Sequence, residues 1–154
     1  MINVLFVCLG NICRSPMAEF VFKDIVNKKG LSNEFFIISA ATSNYNELSH
    51  EGIHYETKYI LRKMNIPYEE HFSRHMKKED YEKFDYILGM DESNINNILR
   101  IIGDDPEHKV FRLLDFTENP RDIIDPWYYG NFDSTYYDIE YGCESFLNYL
   151  KNEK

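Results

Sequence analysis

The sequence predicts an α/β fold in which a parallel β-sheet is covered by helices on both faces. Short, continuously apolar runs are typical of strands that are buried on both sides. Other segments carry apolar residues three and four positions apart, which indicates helices with one buried face. The two kinds of segment alternate along the chain, as expected for right-handed β-α-β crossovers. A chain of 154 residues is expected to form one domain, residues 1–154.

The strands are predicted from four apolar runs. They cover residues 4–7, 35–41, 86–90 and 110–113. In parallel sheets of this kind, ligands bind beyond the carboxyl ends of the strands. Cys8 follows the first run and Asp91 follows the third, so both residues are expected at that edge of the sheet.

The helices are predicted from apolar spacing and from capping residues. Ser15 is a suitable N-cap and Pro16 a suitable first helical residue, and Gly30 ends this helix. Further helices are predicted at residues 51–63 and 77–83. A helix capped by Asp91 or Ser93 follows, and a last helix near the C-terminus carries Cys143 on its apolar face. Polar loops are expected at residues 42–50 and around residues 125–133.

Composition and charge exclude several classes of protein. Apolar residues make up 44% of the chain, which argues against intrinsic disorder. No apolar run reaches the roughly 20 residues that span a bilayer, and the N-terminus lacks the basic region of a signal peptide. A net charge of −9 disfavours nucleic acid and membrane surfaces as partners. The sequence therefore predicts a cytoplasmic protein whose three cysteines are reduced.

The segment from Cys8 to Ser15 is predicted to be an anion-binding loop. It lies between a buried strand and the start of a helix, so backbone N–H groups and the helix N-terminus are expected to face the same small volume. Gly10 can adopt a positive φ, and Asn11 tolerates one, which allows a tight turn. Arg14 presents a planar set of donors that matches phosphate oxygens. Such an environment favours a thiolate at Cys8.

This arrangement predicts transfer of a phosphoryl group to sulfur. The thiolate of Cys8 attacks phosphorus, while the loop amides and Arg14 stabilise the charge on the equatorial oxygens. Ser15 can donate a hydrogen bond to the thiolate. No metal ion or cofactor is needed for this chemistry, because the loop supplies the positive field. The alternative is a structural cysteine beside a surface arginine, a pattern that is common when it occurs alone.

The same loop carries a resemblance to a known family. Residues 6–19, FVCLGNICRSPMAE, resemble the low-molecular-weight protein tyrosine phosphatases, and three further blocks agree in order: SAATSNY, DYILGMDESN and DPWY at residues 39–45, 85–94 and 125–128. The resemblance covers nearly the whole chain. It implies a three-layer α/β/α fold with a four-stranded parallel sheet, a cysteinyl-phosphate intermediate and phosphotyrosine proteins or peptides as substrates. Phosphate, vanadate and sulfate are then expected inhibitors.

Asp125 is the candidate general acid and base, with Asp122 as a less favoured substitute. One carboxyl group can protonate the leaving group and later take a proton from water. Apolar neighbours in the sequence would help to keep Asp125 protonated. The resemblance implies the same role for Asp125. An ordinary Asp-Pro turn is the alternative reading of this segment alone.

Aromatic residues are expected to form the rim of the site. Tyr45, Trp127 and Tyr128 are the candidates, with Leu9 and Ile12 from the phosphate-binding loop itself. The family often has Trp where Tyr45 stands, so substrate preferences can differ here. Related arginine phosphatases tend to carry Thr at the position of Ile12, and the apolar residue therefore favours phosphotyrosine over phosphoarginine.

Three more residues have expected supporting roles. The resemblance implies that His71 and Ser39 brace the phosphate-binding loop, with His71 acting on Asn11. It also implies that Cys13 can form a reversible disulfide with Cys8, although a small apolar filler is an equal alternative for Cys13.

Other functions stay open at the level of sequence. An arginine phosphatase or an arsenate reductase could use the same scaffold, but arsenate reduction needs additional resolving cysteines, and Cys143 is expected in the core. A phosphate-binding adaptor without turnover is a third alternative. The presence of both Cys8 and Asp125 argues against an adaptor.

Overall fold

A computed structural model describes residues 1–152, with the backbone but not the side chains of residues 128 and 129. It contains one parallel four-stranded sheet in the order β2-β1-β3-β4. The strands are β1 (Ile2–Cys8), β2 (Phe35–Ala41), β3 (Tyr86–Gly89) and β4 (Val110–Arg112). β1 is central, and its Val4 pairs with Ile37 on one side and Tyr86 on the other. The four predicted strands are thus confirmed.

The helices cover both faces of the sheet, as predicted. They are α1 (Arg14–Lys28), α2 (Tyr45–Leu48), α3 (Tyr55–Lys63), α4 (Asp80–Lys83), α5 (Glu92–Ile102), α6 (Pro126–Tyr129) and α7 (Phe132–Asn152). α1 and α7 pack together on one face, where the rings of Phe22 and Phe146 lie 5.4 Å apart. α5 covers the other face with Ile98 and Ile102.

Burial on both faces explains the apolar run in β1. Val4 and Phe6 belong to the core beneath α1 and α7, whereas Leu5 and Val7 belong to the core beneath α5. All four side chains are fully buried. Successive side chains of a strand point to opposite faces, so a strand between two helical layers must be apolar at every position.

The start of α1 differs from the prediction. The helix begins at Arg14, and its N-cap is Cys13, whose side chain makes no capping hydrogen bond. Ser15 is therefore not the N-cap. Its hydroxyl is used in the contact with Cys8 described below. Pro16 still lies in the first turn, where its missing N–H costs no helical hydrogen bond.

Two loops are more ordered than expected, and two helices are shorter, namely α3 and α4, the latter beginning at Asp80 rather than at residue 77. The segment 42–50 contains the helical turn α2, and the segment 125–133 contains the turn α6. α3 begins at Tyr55 rather than near residue 51, because Nδ1 of His54 accepts a hydrogen bond from the N–H of Glu56 and caps the helix there. Among the described residues, no helix is long and apolar enough to cross a membrane.

Candidate active site

Cys8 ends β1 at the carboxyl edge of the sheet, and its side chain is only 3% exposed. Sγ of Cys8 lies 3.0 Å from Oγ of Ser15, and the N–H of Asn11 donates to the sulfur over 3.3 Å. Oγ of Ser15 also accepts from Nδ2 of Asn11 at 2.8 Å, so its own proton can go to the sulfur or to the carbonyl of Ala40, which lies 3.4 Å away. The sulfur of Cys8 thus lies within hydrogen-bonding distance of two donor groups, the Ser15 hydroxyl and the Asn11 N–H.

The carbonyl groups of the phosphate-binding loop (residues 8–14) are held away from the site by other parts of the chain. The carbonyls of Cys8, Leu9 and Ile12 accept hydrogen bonds from the N–H groups of Thr42, Ser43 and His54, respectively. The carbonyl of Gly10 accepts from the side chains of Asn46 and Ser73, and that of Cys13 accepts from the N–H of Met17. All described peptide bonds are trans, so each following N–H points away from its carbonyl within the same peptide plane. The N–H of Asn11 thus points at the sulfur of Cys8, and the other loop N–H groups point away from the segments that hold the carbonyls, an arrangement that can bind an anion.

The tight turn is made by Asn11 and not by Gly10. Asn11 has a φ of +57°, whereas Gly10 is absent from the glycines with positive φ. The prediction that Asn11 tolerates a positive φ is confirmed, whereas Gly10 does not use its freedom to adopt one. What requires glycine here is space: a Cβ at Gly10 would lie 2.5 Å from Nδ2 of Asn46.

Arg14 is anchored beside the cradle by a buried ion pair. Its Nη1 donates to Oδ2 of Asp91 and to the carbonyl of Ile123, each at 2.7 Å. Burial lowers the pKa of Arg14, but the sulfur of Cys8 and the carboxylate of Asp91 outweigh it, so the net pKa is raised. The guanidinium is thus charged and held in one orientation, with Nη2 directed toward Asp125.

Asp125 lies at the N-terminus of α6, on the other side of Arg14. Its Oδ2 is 3.5 Å from Nη2 of Arg14, and its Oδ1 accepts from the N–H of Trp127 at 3.0 Å. The apolar surroundings expected from the sequence are only partly present, since Ile123 is buried while Ile124 and Trp127 are exposed. Asp122 instead pairs with Arg112 and accepts from the N–H of Glu92.

A buried polar network supports the loop from behind. Nδ2 of Asn11 donates to Oγ of Ser39 at 3.0 Å, and Oγ of Ser39 donates to Oε1 of Glu19 at 2.6 Å. Glu19 is only 5% exposed and also pairs with Lys23 at 2.6 Å. The structure brings Ser39 to Asn11, and it adds Glu19, which was not among the residues predicted from the sequence.

His71 contacts the same asparagine. Oδ1 of Asn11 accepts from the N–H of Arg74 at 3.0 Å and lies 3.1 Å from Nε2 of His71. Because the amide oxygen can only accept, Nε2 must carry the proton in this arrangement. Burial lowers the pKa of His71, and the nearby carboxylate of Glu19 only partly opposes this.

The three cysteines are free thiols in different environments. Burial, followed by the neighbouring Cys8, raises the pKa of Cys13 to about 12. Burial also raises the pKa of Cys143 well above its ordinary value, and its side chain is fully buried on α7. Cys143 is therefore a core residue, in agreement with the sequence pattern.

The rim candidates whose side chains are described are largely exposed. Tyr45 is 73% exposed, Trp127 is 63% exposed and Leu9 is 44% exposed, while Ile12 is half-buried. The side chain of Tyr128 lies outside the described residues. Beneath Trp127, the ring of His54 makes an edge contact at 5.4 Å and a stacked contact with Phe132 at 5.2 Å.

Several residues of the site were not assigned a role there from the sequence. Asp91 was predicted at the correct sheet edge, but only as a helix cap. It does cap α5, and its second oxygen holds Arg14. Glu19 lies one helical turn after Ser15, a spacing that could have placed it on the same face of α1. Asn46 and Ser73 carry no local signal. Among the described residues, no group of three or more His, Cys, Asp and Glu side chains could hold a metal ion.

Comparison with known proteins yields one family. The model of the family "Low molecular weight phosphotyrosine protein phosphatase" matches residues 3–154. The chain is 40% identical to the low molecular weight protein-tyrosine-phosphatase YfkJ of Bacillus subtilis, covering all of this chain and 99% of that protein. It is 37% identical to PtpA of Staphylococcus epidermidis, a protein-tyrosine-phosphatase of the same description, over 97% of this chain and 94% of that one.

Solved structures give the same result. The crystal structure of YfkJ superposes with a TM-score of 0.93, over all of this chain and 97% of that chain. An arginine phosphatase of Drosophila superposes with a TM-score of 0.85 at 29% identity, over 96% of this chain and 97% of that one. Both a tyrosine phosphatase and an arginine phosphatase thus share the fold.

Proposed function

Because the chain belongs to the low molecular weight phosphotyrosine protein phosphatase family, we propose that it hydrolyses phosphotyrosine in proteins through a cysteinyl-phosphate intermediate. The observation that carries this proposal is the position of Cys8. Its sulfur lies at the base of a cradle of backbone N–H groups, beside a buried arginine and within reach of donors from Ser15 and Asn11. This arrangement suits a thiolate that attacks a phosphate ester.

The first step transfers the phosphoryl group to sulfur. The thiolate of Cys8 attacks phosphorus, and the bond between phosphorus and the tyrosine oxygen breaks in line with the attack. Arg14 and the loop N–H groups bind the equatorial oxygens. Asp125, in its protonated form, gives its proton to the departing phenolic oxygen. The distance of 3.5 Å between its Oδ2 and Nη2 of Arg14 supports this role.

The second step hydrolyses the cysteinyl-phosphate intermediate. Asp125, now ionised, takes a proton from a water molecule, whose oxygen attacks phosphorus as the sulfur–phosphorus bond breaks. The sulfur leaves as a thiolate, and the hydrogen bonds from Ser15 and Asn11 stabilise it. Inorganic phosphate and the free thiolate remain. The same cradle accounts for the expected inhibition by phosphate, vanadate and sulfate.

Hydrolysis of p-nitrophenyl phosphate tests the nucleophile. We expect turnover by the wild-type chain and none by Cys8→Ser. Cys143→Ser is the matched control that should keep activity, because Cys143 is buried in α7 and its sulfur contacts the carbonyl of Ala18 rather than the loop. Activity retained by Cys8→Ser, or absent from the wild type, would overturn the proposal.

A series of aryl phosphates tests the general acid. For Asp125→Ala we expect a small loss with p-nitrophenyl phosphate and a loss of about 100-fold or more with phenyl phosphate, whose leaving group needs the proton. Vanadate binding should be retained. Asp122→Ala is the control, since Asp122 pairs with Arg112. Equal losses with both substrates would reject the role of Asp125.

Phosphoarginine is the second candidate substrate, favoured by the similarity to the Drosophila arginine phosphatase. The apolar Ile12 supports phosphotyrosine instead. We expect the wild type to prefer phosphotyrosine peptides to phosphoarginine and phosphoserine peptides, and Ile12→Thr to shift the ratio toward phosphoarginine. A wild-type preference for phosphoarginine would reverse the assignment.

Arsenate reduction receives less support. It would need a resolving cysteine that can reach Cys8, and the fully buried Cys143 contacts the carbonyl of Ala18 instead. The adaptor reading is tested by the same p-nitrophenyl phosphate assay. A cytoplasmic location stays a prediction from the sequence.

A further inference from the structure

We propose that Asn46 and Ser73 are positioning residues that together orient the peptide group between Gly10 and Asn11 and thereby direct its N–H at the sulfur of Cys8. This inference rests on the proposed function, because it concerns the same nucleophile. It concerns two side chains outside the loop that have no contact with the sulfur themselves. Neither residue belongs to the segment from Cys8 to Ser15, from which the chemistry was predicted.

The carbonyl oxygen of Gly10 is bound from two sides. Nδ2 of Asn46 donates to it over 3.1 Å, and Oγ of Ser73 donates to it over 2.9 Å. A carbonyl oxygen has two lone pairs, so both of its acceptor positions are filled. The two donors come from separate parts of the chain, 36 and 63 residues from Gly10, and therefore fix the direction of the carbonyl against rotation.

The direction of this carbonyl determines the direction of one N–H group. Gly10 O and Asn11 N belong to the same planar trans peptide, so the N–H points opposite to the carbonyl. That N–H donates to Sγ of Cys8 over 3.3 Å. A rotation of the peptide plane would remove a donor from the thiolate and from any phosphate bound above it.

Both donors are themselves held in place. Asn46 lies in α2, and the next residue, Glu47, accepts a hydrogen bond from the N–H of His75 over 2.8 Å. Ser73 is 5% exposed, and its N–H donates to the carbonyl of Glu51 over 2.8 Å. The pair thus transmits the position of the segments 45–48 and 71–76 to the loop.

Alkylation of Cys8 by iodoacetamide, measured as a rate against pH, tests this role in the free enzyme. Only the thiolate reacts, so the rate reports how well the loop stabilises it. Because each donor holds the same oxygen, we expect Asn46→Ala and Ser73→Ala to slow alkylation at pH 6 about two- to threefold each. The double variant should slow it about tenfold or more. The pH profile should move to higher pH in the same order.

Three variants separate positioning from general structure. Asn44→Ala removes an exposed asparagine of the same segment, whose side chain makes no capping bond to α2, and should behave as wild type. Ser73→Thr keeps the hydroxyl and should restore most of the rate. Asn46→Asp keeps the shape but replaces the donor with a carboxylate oxygen, and it should be no better than Asn46→Ala.

The outcomes are distinguishable from those of the proposed function. An unchanged alkylation profile in the double variant overturns the inference, and so does an Asn44→Ala profile equal to that of Asn46→Ala. If the double variant does not fold, the single variants with Ser73→Thr and Asn46→Asp decide the same question. An enzyme without phosphatase activity would refute the function, but a shifted alkylation profile would still support the orientation of the loop.

Discussion

Replacing Gly10 with alanine gives a quantitative test of the contact between the phosphate-binding loop and α2. The added Cβ would lie 2.5 Å from Nδ2 of Asn46, while its next neighbours are 3.8 and 3.9 Å away, which is ordinary contact. Gly10 does not have a positive φ, so alanine introduces no backbone strain. The only response required is that the half-buried Asn46 side chain rotates away and gives up its hydrogen bond to Gly10 O.

The expected change in stability is small. Loss of one hydrogen bond costs about 0.5–1.5 kcal/mol. Replacement of glycine by alanine returns about 0.4–1 kcal/mol by restricting the unfolded chain. The free energy of unfolding of Gly10→Ala should then lie between about 1.1 kcal/mol below and about 0.5 kcal/mol above that of the wild type, which corresponds to a Tm within about 4 °C of wild type.

The expected change in activity is larger and has a defined origin. Gly10→Ala should reduce p-nitrophenyl phosphate turnover and Cys8 alkylation as much as Asn46→Ala does, about two- to threefold, because both remove the same bond. The double variant Gly10→Ala/Asn46→Ala should then be no worse than either single variant. Turnover, alkylation and thermal melting are measured on all three. Multiplicative losses in the double variant, or a fall in Tm beyond about 8 °C for Gly10→Ala, would refute this reasoning.

Three further predictions concern packing, titration and the buried network. Gly142→Ala places a Cβ 2.6 Å from Cγ of Leu113 in the core, so it should destabilise the folded protein by about 1–3 kcal/mol. Thermal melts should show a lower Tm, while turnover at 25 °C is unchanged. A Tm equal to that of the wild type would contradict this. The pKa of Cys13 rises from 9.0 to about 12 on folding, so between pH 9 and pH 12 only the unfolded chain ionises this thiol. The free energy of unfolding should therefore fall by about 1.4 kcal/mol per pH unit in that range. Urea unfolding at several pH values should show a smaller dependence on pH for Cys13→Ala. Glu19→Gln weakens the bonds from Ser39 and Lys23, so it should lower the free energy of unfolding in urea by about 1–3 kcal/mol. Because the carboxylate of Glu19 raises the pKa of His71, its loss should lower that pKa further in an NMR titration. An unchanged or higher pKa would show that Glu19 does not act on His71.

The sequence predicted the fold because the relevant patterns are local. The apolar runs and the helical spacing depend on residues within a few positions of each other, and the four strands appear where those patterns place them. The N-cap of α1 was predicted wrongly. Ser15 resembles an N-cap, but the N-cap of α1 is Cys13, two residues earlier, and the Ser15 hydroxyl lies against the sulfur of Cys8 instead. The competition between a helix end and a nearby sulfur cannot be resolved from adjacent residues alone.

Short ordered segments were also missed for a physical reason. α2 and α6 have four residues each, too few for a hydrophobic period or for stability on their own. They are held by contacts from outside, such as the bond from the N–H of His75 to the side chain of Glu47. Helices of this length depend on the tertiary structure, so α2 and α6 were predicted as loops, whereas a helix was predicted over the equally short α4.

By itself, the sequence determined the α/β architecture and predicted the chemistry proposed for the end of β1. A cysteine, an arginine six positions later and a strand-to-helix turn are sufficient to predict an anion cradle with a nucleophile, because these residues are connected by a few bonds of the same chain. The tertiary structure decided what holds that cradle in shape. Asp91 orients Arg14 across 77 residues, and Ser73 orients the Gly10 carbonyl across 63. Contacts over such separations depend on how the strands are ordered in the sheet, and no local pattern in the sequence records them.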